Sequence, residues 1–438
     1  MTPPAALSSG KTGATVTCTA CPLLCEDIRI DAGRCHQACD RGATALLTAL
    51  AAAGDGMPAA WENGGAVDLA VAIARAAELL SAARRPLVTG LPAATLESIA
   101  AACDIAETLG AAVDGGLPES FRSAGPTIAR AGEVTAAWEE LRDRADLVLF
   151  WCCDPDTTHP RFRERFVAPP TAAGGRRRCL TVGPAAGPHD GPDHVHLPLD
   201  RGRGLEAARC LHLLLGGRHL PSSTDPRLAA LCGSLLTAIR AAGCVAVVTD
   251  VGDDAVGLEA WSIVHLVRTI AHERPAFEVP LATGPTGGGP DAAGAAAVCT
   301  WRYGAAGAIA RADRTGSLFL PAESDAGRLV ARGEVDVVLV LGSAGDAVER
   351  VLADRAAAIA TVRICDAPAA TGAVTGRTIQ LRCASGLTGT SGTMLRGDGR
   401  LVTLRPCRPG VGRGMHDLLD AVHRAVRVDR DAAAGGRP

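Results

Sequence analysis

Apolar and polar positions along this chain repeat with two periods. Asp68 to Ala83 sets Leu69, Ile73, Ala76, Ala77 and Leu80 at helical spacing, which predicts a helix with one packing face. Pro86-Leu87-Val88-Thr89-Gly90 is a short apolar run closed by glycine, the mark of a buried strand, and an apolar helix over Ala93 to Leu109 follows. Strand, turn and helix in that order make the unit of an open parallel sheet. The pattern recurs. Further strands are predicted at Asp146–Trp151, Cys179–Val182, Val195–Leu199, Cys244–Asp250, Val335–Gly342 and Val362–Cys365. Helices are predicted at Glu133–Arg144, Leu205–Leu215, Leu228–Ala242, Leu258–His272 and Asp346–Ile359.

The end of the chain changes character. Thr378 to Cys383 and Met394 to Arg405 alternate apolar and polar, Gly397-Asp398-Gly399 supplies a hairpin turn, and a last helix is expected from Met415 to Val428. Gly110 to Pro126 and the glycine-rich Thr283 to Gly289 lack periodicity and read as loops; the second has no Lys-Ser/Thr ending of a phosphate loop. The fold class is therefore α/β, with parallel-sheet, Rossmann-like domains. The expected order is a Cys-rich segment over 1–60, a first α/β domain with inserted loops over 61–243, a second over 244–372, and a β module with tail over 373–438.

Composition narrows the function classes. Hydrophobic residues make up 47% of the 438 and aromatics only 3%, so the cores are expected to be built from Ala, Val and Leu. The net charge is -3 and the densest basic run is Arg176-Arg177-Arg178, read as a solvated loop, which argues against a nucleic-acid partner. The opening 17 residues lack the apolar core of an export signal, and no apolar run approaches the roughly 18 to 20 residues of a membrane span. A cytoplasmic, reducing location is the expectation, and the 16 cysteines then read as thiols or metal ligands rather than disulphides.

The densest chemistry lies in Cys18-Thr-Ala-Cys21-Pro-Leu-Leu-Cys25-Glu-Asp-Ile28, followed by Cys39-Asp-Arg-Gly42. Cysteines separated by two and three residues, with a fourth thiol after thirteen more residues, can point at one ion or cluster. Cys18, Cys21, Cys25 and Cys39 are the expected ligands; Cys35 is the alternative fourth, and buried reduced thiols are the plain alternative. Four thiolates suit a [4Fe-4S] cluster or zinc equally. His159, bracketed by Asp156, Pro160 and Arg161 beyond a strand end, reads first as a hydrogen-bonded loop histidine. His194 and His196 share a strand face without a third ligand, and Cys152-Cys153 has no nucleophile elbow around it, so no catalytic residue is assigned.

Three motifs, in order, resemble the B subunit of formylmethanofuran dehydrogenase, a molybdopterin oxidoreductase. They are the cysteine segment through Gly42, then Arg144 to Trp151 with Asp154-Pro155 and His159-Pro160-Arg161, then Gly389-Thr-Ser-Gly-Thr-Met-Leu-Arg-Gly-Asp398. The resemblance implies an N-terminal four-iron cluster and a tungsten or molybdenum bis-pterin whose metal takes a cysteine before His-Gly-Pro. Val113-Asp114 and Gly125-Pro126 match the flanks of that loop, so the ligand position falls at Ser123 with Ala124 after it. With that cysteine and histidine replaced, the resemblance implies a degenerate pterin or metal cleft at Ser123, Gly125, Pro126 and His159, with molybdopterin and tungsten absent. The divergent bacterial form fits this, namely the non-redox structural B subunit of a formyltransferase/hydrolase complex in tetrahydromethanopterin-linked one-carbon metabolism. Its implied partners are the other members of that complex: an amidohydrolase-like A subunit, a C subunit, and a formyltransferase D subunit. An active tungsten or molybdenum enzyme using Ser123, and a zinc-stabilised α/β binding protein, are the alternatives.

Overall fold

The computed structural model describes residues 14–52, 57–116, 130–184, 193–250, 258–281, 289–312, 316–321, 323–366, 376–408 and 412–435. The chain divides into two compact units that interleave along the sequence. The first is Met1–Leu117, Gly288–Arg396 and Leu401–Pro438; the second is Pro118–Gly287 and Gly397–Arg400. The expected boundaries at 60/61, 243/244 and 372/373 follow chain order, whereas strands choose neighbours by sheet pairing. Pro86–Thr89 lies beside Val337–Leu341 although some 250 residues separate them (Val337↔Pro86).

In the first unit the sheet has seven strands, in the order Gly65–Ala66, Ala60–Glu62, Thr378–Arg382, Ala360–Cys365, Val337–Leu341, Pro86–Thr89, Ala112–Val113. The last five run parallel and the first two are antiparallel. Side chains alternate between its faces. Leu339 and Leu341 join Val362, Ile364 and the helices Leu69–Ala82, Leu96–Leu109 and Met415–Gly435, while Val338 and Val340 pack with Leu329, Val330 and Leu352 on the other face. Gly90 ends the Pro86–Thr89 strand at φ 80, where a Cβ would stand 2.3 Å from the Leu341 carbonyl oxygen, so only glycine fits.

Thr378–Arg382 corrects the reading of a separate β module. It alternates like a half-exposed strand, yet Gln380 is buried and donates to Cys365 Sγ at 3.1 Å within the main sheet. Only Gly392–Leu395 and Leu401–Leu404 form the expected hairpin. The cysteine segment carries a three-stranded antiparallel sheet, Ala14–Val16, Ile28–Asp31 and Arg34–His36, turned at Ala32 and Gly33 with φ of 46 and 76.

The second unit's sheet is parallel throughout, in the order His194–Pro198, Arg178–Gly183, Leu147–Trp151, Val245–Thr249, Ala276–Pro280. Leu147–Trp151 starts the winding, which goes first to one side and then, at Val245–Thr249, to the other. Helices Gly204–Leu215, Pro226–Ala241 and Leu258–Glu273 bury their apolar faces with it. Arg177 departs from the solvated-loop reading. It is buried, and its guanidinium donates to the carbonyls of Ala145, Val167, Pro169, Leu141 and Arg142. Among the described residues no helix is long and apolar enough to cross a membrane.

Candidate metal centre and sheet-end cavities

The cysteine loop is closed by its own backbone. Cys18 N–H donates to the Cys25 carbonyl at 2.9 Å, and Leu24, at φ 43, donates back to Cys21 at 3.2 Å. The loop thereby holds three buried thiols, with Cys18, Cys21 and Cys25 at most 8% exposed. Cys39 arrives at the start of the Asp40–Ala52 helix, where Gly42 N–H donates to its Sγ at 3.4 Å. A Cβ on Gly42 would lie 3.1 Å from Cys18 Sγ and 3.6 Å from Cys39 Sγ, so both sulphurs close on one small residue.

Electrostatics groups the same four thiols. Burial pushes the Cys18 thiol up to about 12 against a hydrogen bond from the Ala20 backbone, and the Cys21, Cys25 and Cys39 sulphurs add to the rise. Burial also pushes Cys21 up to about 11, opposed by the Leu23 backbone and reinforced by Cys25 and Cys39. Cys35 is raised by burial alone, and the thiol that feels it is Cys407. Cys18 and Cys21 are therefore neutral thiols at neutral pH, and a bound cation would displace their protons. The donor set matches a soft metal or cluster in type and neighbourhood. Among the described residues, though, no group of three or more His, Cys, Asp or Glu side chains is set at metal-holding geometry.

Ser123, Gly125 and Pro126 lie outside the described residues. Asp114, at the end of the Ala112–Val113 strand, accepts from Gly116 N–H at 3.1 Å and Ala326 N–H at 2.8 Å. His159 is 1% exposed in the second unit. It exchanges a hydrogen bond of 2.8 Å with Thr158 Oγ1 and stands edge-on to Trp138 at 5.8 Å. His194 pairs with Thr181 Oγ1 and His196 with the Gly183 carbonyl, so both serve the sheet edge. Cys152, exposed and at φ 50, follows the Leu147–Trp151 strand.

Two cavities open over the carboxyl ends of the first unit's sheet, the usual ligand position in such sheets. The larger, about 580 Å³, is floored by Gly342, Cys365 and Cys383 and walled by Thr95, Met394 and Met415. In it Arg363 donates to both Glu349 oxygens, at 2.8 and 2.7 Å, and to the Gly342 carbonyl at 3.0 Å, and the exposed Asp366 adds a carboxylate to the lining. Burial alone would raise the Glu349 carboxyl, but Arg363 and the Ala344 backbone hold it below the usual carboxylate range. The smaller cavity, about 330 Å³, lies against the Asp40–Ala52 helix and is lined by Arg382 and Arg408.

Sequence reasoning missed two buried acids. Asp291 is fully enclosed, and one of its oxygens accepts from Gly294 N–H at 3.1 Å and Leu395 N–H at 2.7 Å, capping the Ala292–Tyr303 helix and holding the hairpin. Its other oxygen has no hydrogen-bond partner. Burial pushes its carboxyl to about 8, against the two backbone hydrogen bonds. Pro290-Asp291 before an alanine-rich helix was the legible capping signal. Glu278 in the second unit accepts from Thr249 Oγ1 at 2.8 Å, and burial, with Glu133 beside it, raises it to about 8.

No family model matches the chain. The B subunit of the formyltransferase/hydrolase complex Fhc of Methylorubrum extorquens is 34% identical over 148 residues, 33% of this chain and 40% of that protein. The B subunit of the tungsten-containing formylmethanofuran dehydrogenase 2 of Methanocaldococcus jannaschii is 28% identical over 160 residues, 34% of this chain and 37% of that protein. The matched stretch thus spans about 40% of the length of these curated relatives. The crystal structure of the formyltransferase/hydrolase complex FhcABCD from Methylorubrum extorquens, in complex with methylofuran, contains a chain of the same fold. Its TM-score is 0.69 at 22% identity, covering 85% of this chain and 100% of that one. The chain is similar to both branches of the resemblance read from its motifs.

Proposed function

We propose that this chain is a non-redox structural component, the B subunit, of a formyltransferase/hydrolase complex in tetrahydromethanopterin-linked one-carbon metabolism. The observation that carries the reading is the 34% identity with the Fhc protein of that type. The likeness of fold to a chain of the FhcABCD structure supports it. Ser123 and Ala124 stand where the motifs place a metal-ligating cysteine and its histidine, which favours a scaffold over an oxidoreductase. Formyl transfer and hydrolysis then belong to the amidohydrolase-like and formyltransferase partners, the A and D subunits, with the C subunit completing the assembly in the cytoplasm.

Cys18, Cys21, Cys25 and Cys39 are the residues proposed to hold a [4Fe-4S] cluster, with zinc as the alternative. A cluster so placed serves as a staple: it would tie the cysteine loop to the first turn of the Asp40–Ala52 helix. The similarity to a tungsten-containing relative keeps an active enzyme as the second reading, with the metal at Ser123.

Elemental analysis of the anaerobically purified protein, with whatever subunits accompany it, separates these readings. Iron near four, or zinc near one, per chain, with neither tungsten nor molybdenum and with three partner subunits present, is expected. Tungsten or molybdenum near one per chain would replace the scaffold by the enzyme; a stable monomer holding zinc alone would replace both by a binding protein. Cys21→Ser should lose the metal and lower the thermal midpoint of the assembly by several degrees, while Cys35→Ser should leave the metal content unchanged.

A further inference from the structure

Of the 16 cysteines, four belong to the loop and helix start described above. Among the described residues, two further pairs stand sulphur to sulphur. Cys103 and Cys299 share a hydrogen bond between the helices Leu96–Leu109 and Ala292–Tyr303, and both are completely enclosed. Cys210 and Cys232 share one between Gly204–Leu215 and Pro226–Ala241. Their setting differs. Cys232 is enclosed, but Cys210 keeps 8% of its surface, and its thiol feels the charges of Glu206 and Arg209, both exposed.

The helices themselves hold the second pair together. Ala207 and Cys210 are three residues apart and share one face of their helix. Cys232 Sγ donates to the Ala207 carbonyl at 3.6 Å, so it lies against the turn that ends at Cys210. Leu211, Leu231 and Leu235, next to the two cysteines or one turn away, are buried in the second unit's core and fix both helices there. Burial raises both thiols, Cys232 to about 12, and their shared hydrogen bond then separates them, lowering Cys210 and raising Cys232. Cys232 is therefore the donor, and Cys210 is the sulphur that yields its proton first.

We propose that Cys210 and Cys232 form an oxidative modification site, at which a peroxide joins them in a reversible disulphide that staples Gly204–Leu215 to Pro226–Ala241. The Cys210 thiolate attacks the peroxide; an S–O bond forms, the O–O bond breaks, and the leaving oxygen departs as water. Cys232 then attacks the Cys210 sulphur, the S–S bond forms, and the S–O bond breaks to release a second water. Two thiols lose two electrons and two protons, and the peroxide is reduced to two waters. Cys232 needs no opening of its own, because its target is the sulphur it already touches. The bridge closes residues 211–231 into a loop, which restricts the unfolded chain and strengthens the contact between the two helices. The site shares no residue with the four thiols of the cysteine loop and does not depend on the scaffold reading.

Peptide mapping tests this on the purified full chain with its accompanying subunits, using hydrogen peroxide as the probe. Trypsin separates the two thiols cleanly, since residues 210–218 and 228–240 each form a peptide with one cysteine. After native treatment, quenching and alkylation in denaturant, these two peptides should appear joined at two hydrogens below their summed mass. Dithiothreitol should part them, helical dichroism should be unchanged, and Cys103 and Cys299 should remain alkylated. Linking should be faster at about pH 9 than at about pH 7, because the thiolate is the attacking form. The bridge should raise the thermal midpoint by several degrees, and Cys232→Ala should abolish that rise. Alkylated Cys210 and Cys232, a Cys210 sulphinic acid beside a free Cys232, or a link that appears only once dichroism is lost overturns the proposal. Linking of Cys103 to Cys299 at the same rate, or a rise that persists in Cys232→Ala, overturns it as well.

Discussion

The unit wound from Leu147–Trp151 and the unit built around Val337–Leu341 solve the same packing problem with different materials. Trp138, Phe150, Trp151, Phe162 and Phe166 are all buried in the first of these, and Trp138 meets Phe162 and Phe166 with centroids 5.5 Å apart. The other buries Ala72, Ala76, Ala77, Ala102 and Ala106 completely, among Leu, Val and Ile. Small side chains let helices approach the sheet and one another closely, which leaves little slack for added volume. Rings concentrate the packing energy in a few positions, which makes deletion the more damaging change. The scarcity of aromatics therefore describes one core and not the other.

The largest effect should come from deleting a ring. Trp138→Ala is expected to cost about 3–5 kcal/mol and to be seen as an early loss of near-ultraviolet dichroism on denaturant unfolding. The converse change belongs to the alanine core. Ala102→Leu, on the inner face of the Leu96–Leu109 helix, should cost about 1–3 kcal/mol, and Ala102→Gly about 1 kcal/mol. If Ala102→Leu proved neutral, the close-packing account of that unit would be lost.

The comparison is sharpened through pH as well, since each unit buries a carboxyl raised to about 8, Asp291 in the alanine core's unit and Glu278 in the ring core's. Unfolded, such groups titrate near 4, so between about 4 and 8 the folded chain holds protons that the unfolded chain has released. Their stabilisation is complete below about pH 4 and is lost as pH rises toward 8, with a ceiling of about 1.4 kcal/mol per pH unit for each group. Urea midpoints compared at about pH 5.5 and about pH 8 should fall with rising pH for the wild type. Glu278→Gln and Asp291→Asn should each flatten the fall, and a midpoint that rises over this range would contradict the assignment.

Buried strands were legible because their residues are apolar on both faces; Leu147–Trp151 and Val337–Leu341 lie within two residues of their expected bounds. Strand order was not. The contact of Val337–Leu341 with Pro86–Thr89 is decided by shape over a long separation, and no local pattern records it. Thr378–Arg382 was misplaced because Gln380 looks solvent-facing until Cys365 is seen to receive its hydrogen bond. The cysteine spacing marked a segment in which the backbone loop buries Cys18, Cys21 and Cys25, whereas the enclosure of Asp291 carries no local mark, because burial is a property of three dimensions. The turn at Ala32-Gly33 was present in the sequence and went unread.

One detail of the hairpin reaches beyond the single molecule. Thr393 N–H is received by Glu97 at 3.0 Å and Leu395 N–H by Asp291 at 2.7 Å, alternate residues on the side of Gly392–Leu395 that faces away from Leu401–Leu404. Those are the donors a free strand edge would present to another polypeptide. Carboxyl oxygens end the ladder where a further strand would continue it, because they accept these hydrogen bonds and have no N–H to hand on. The same two acids that position the hairpin thus guard the chain against fibril-like self-association.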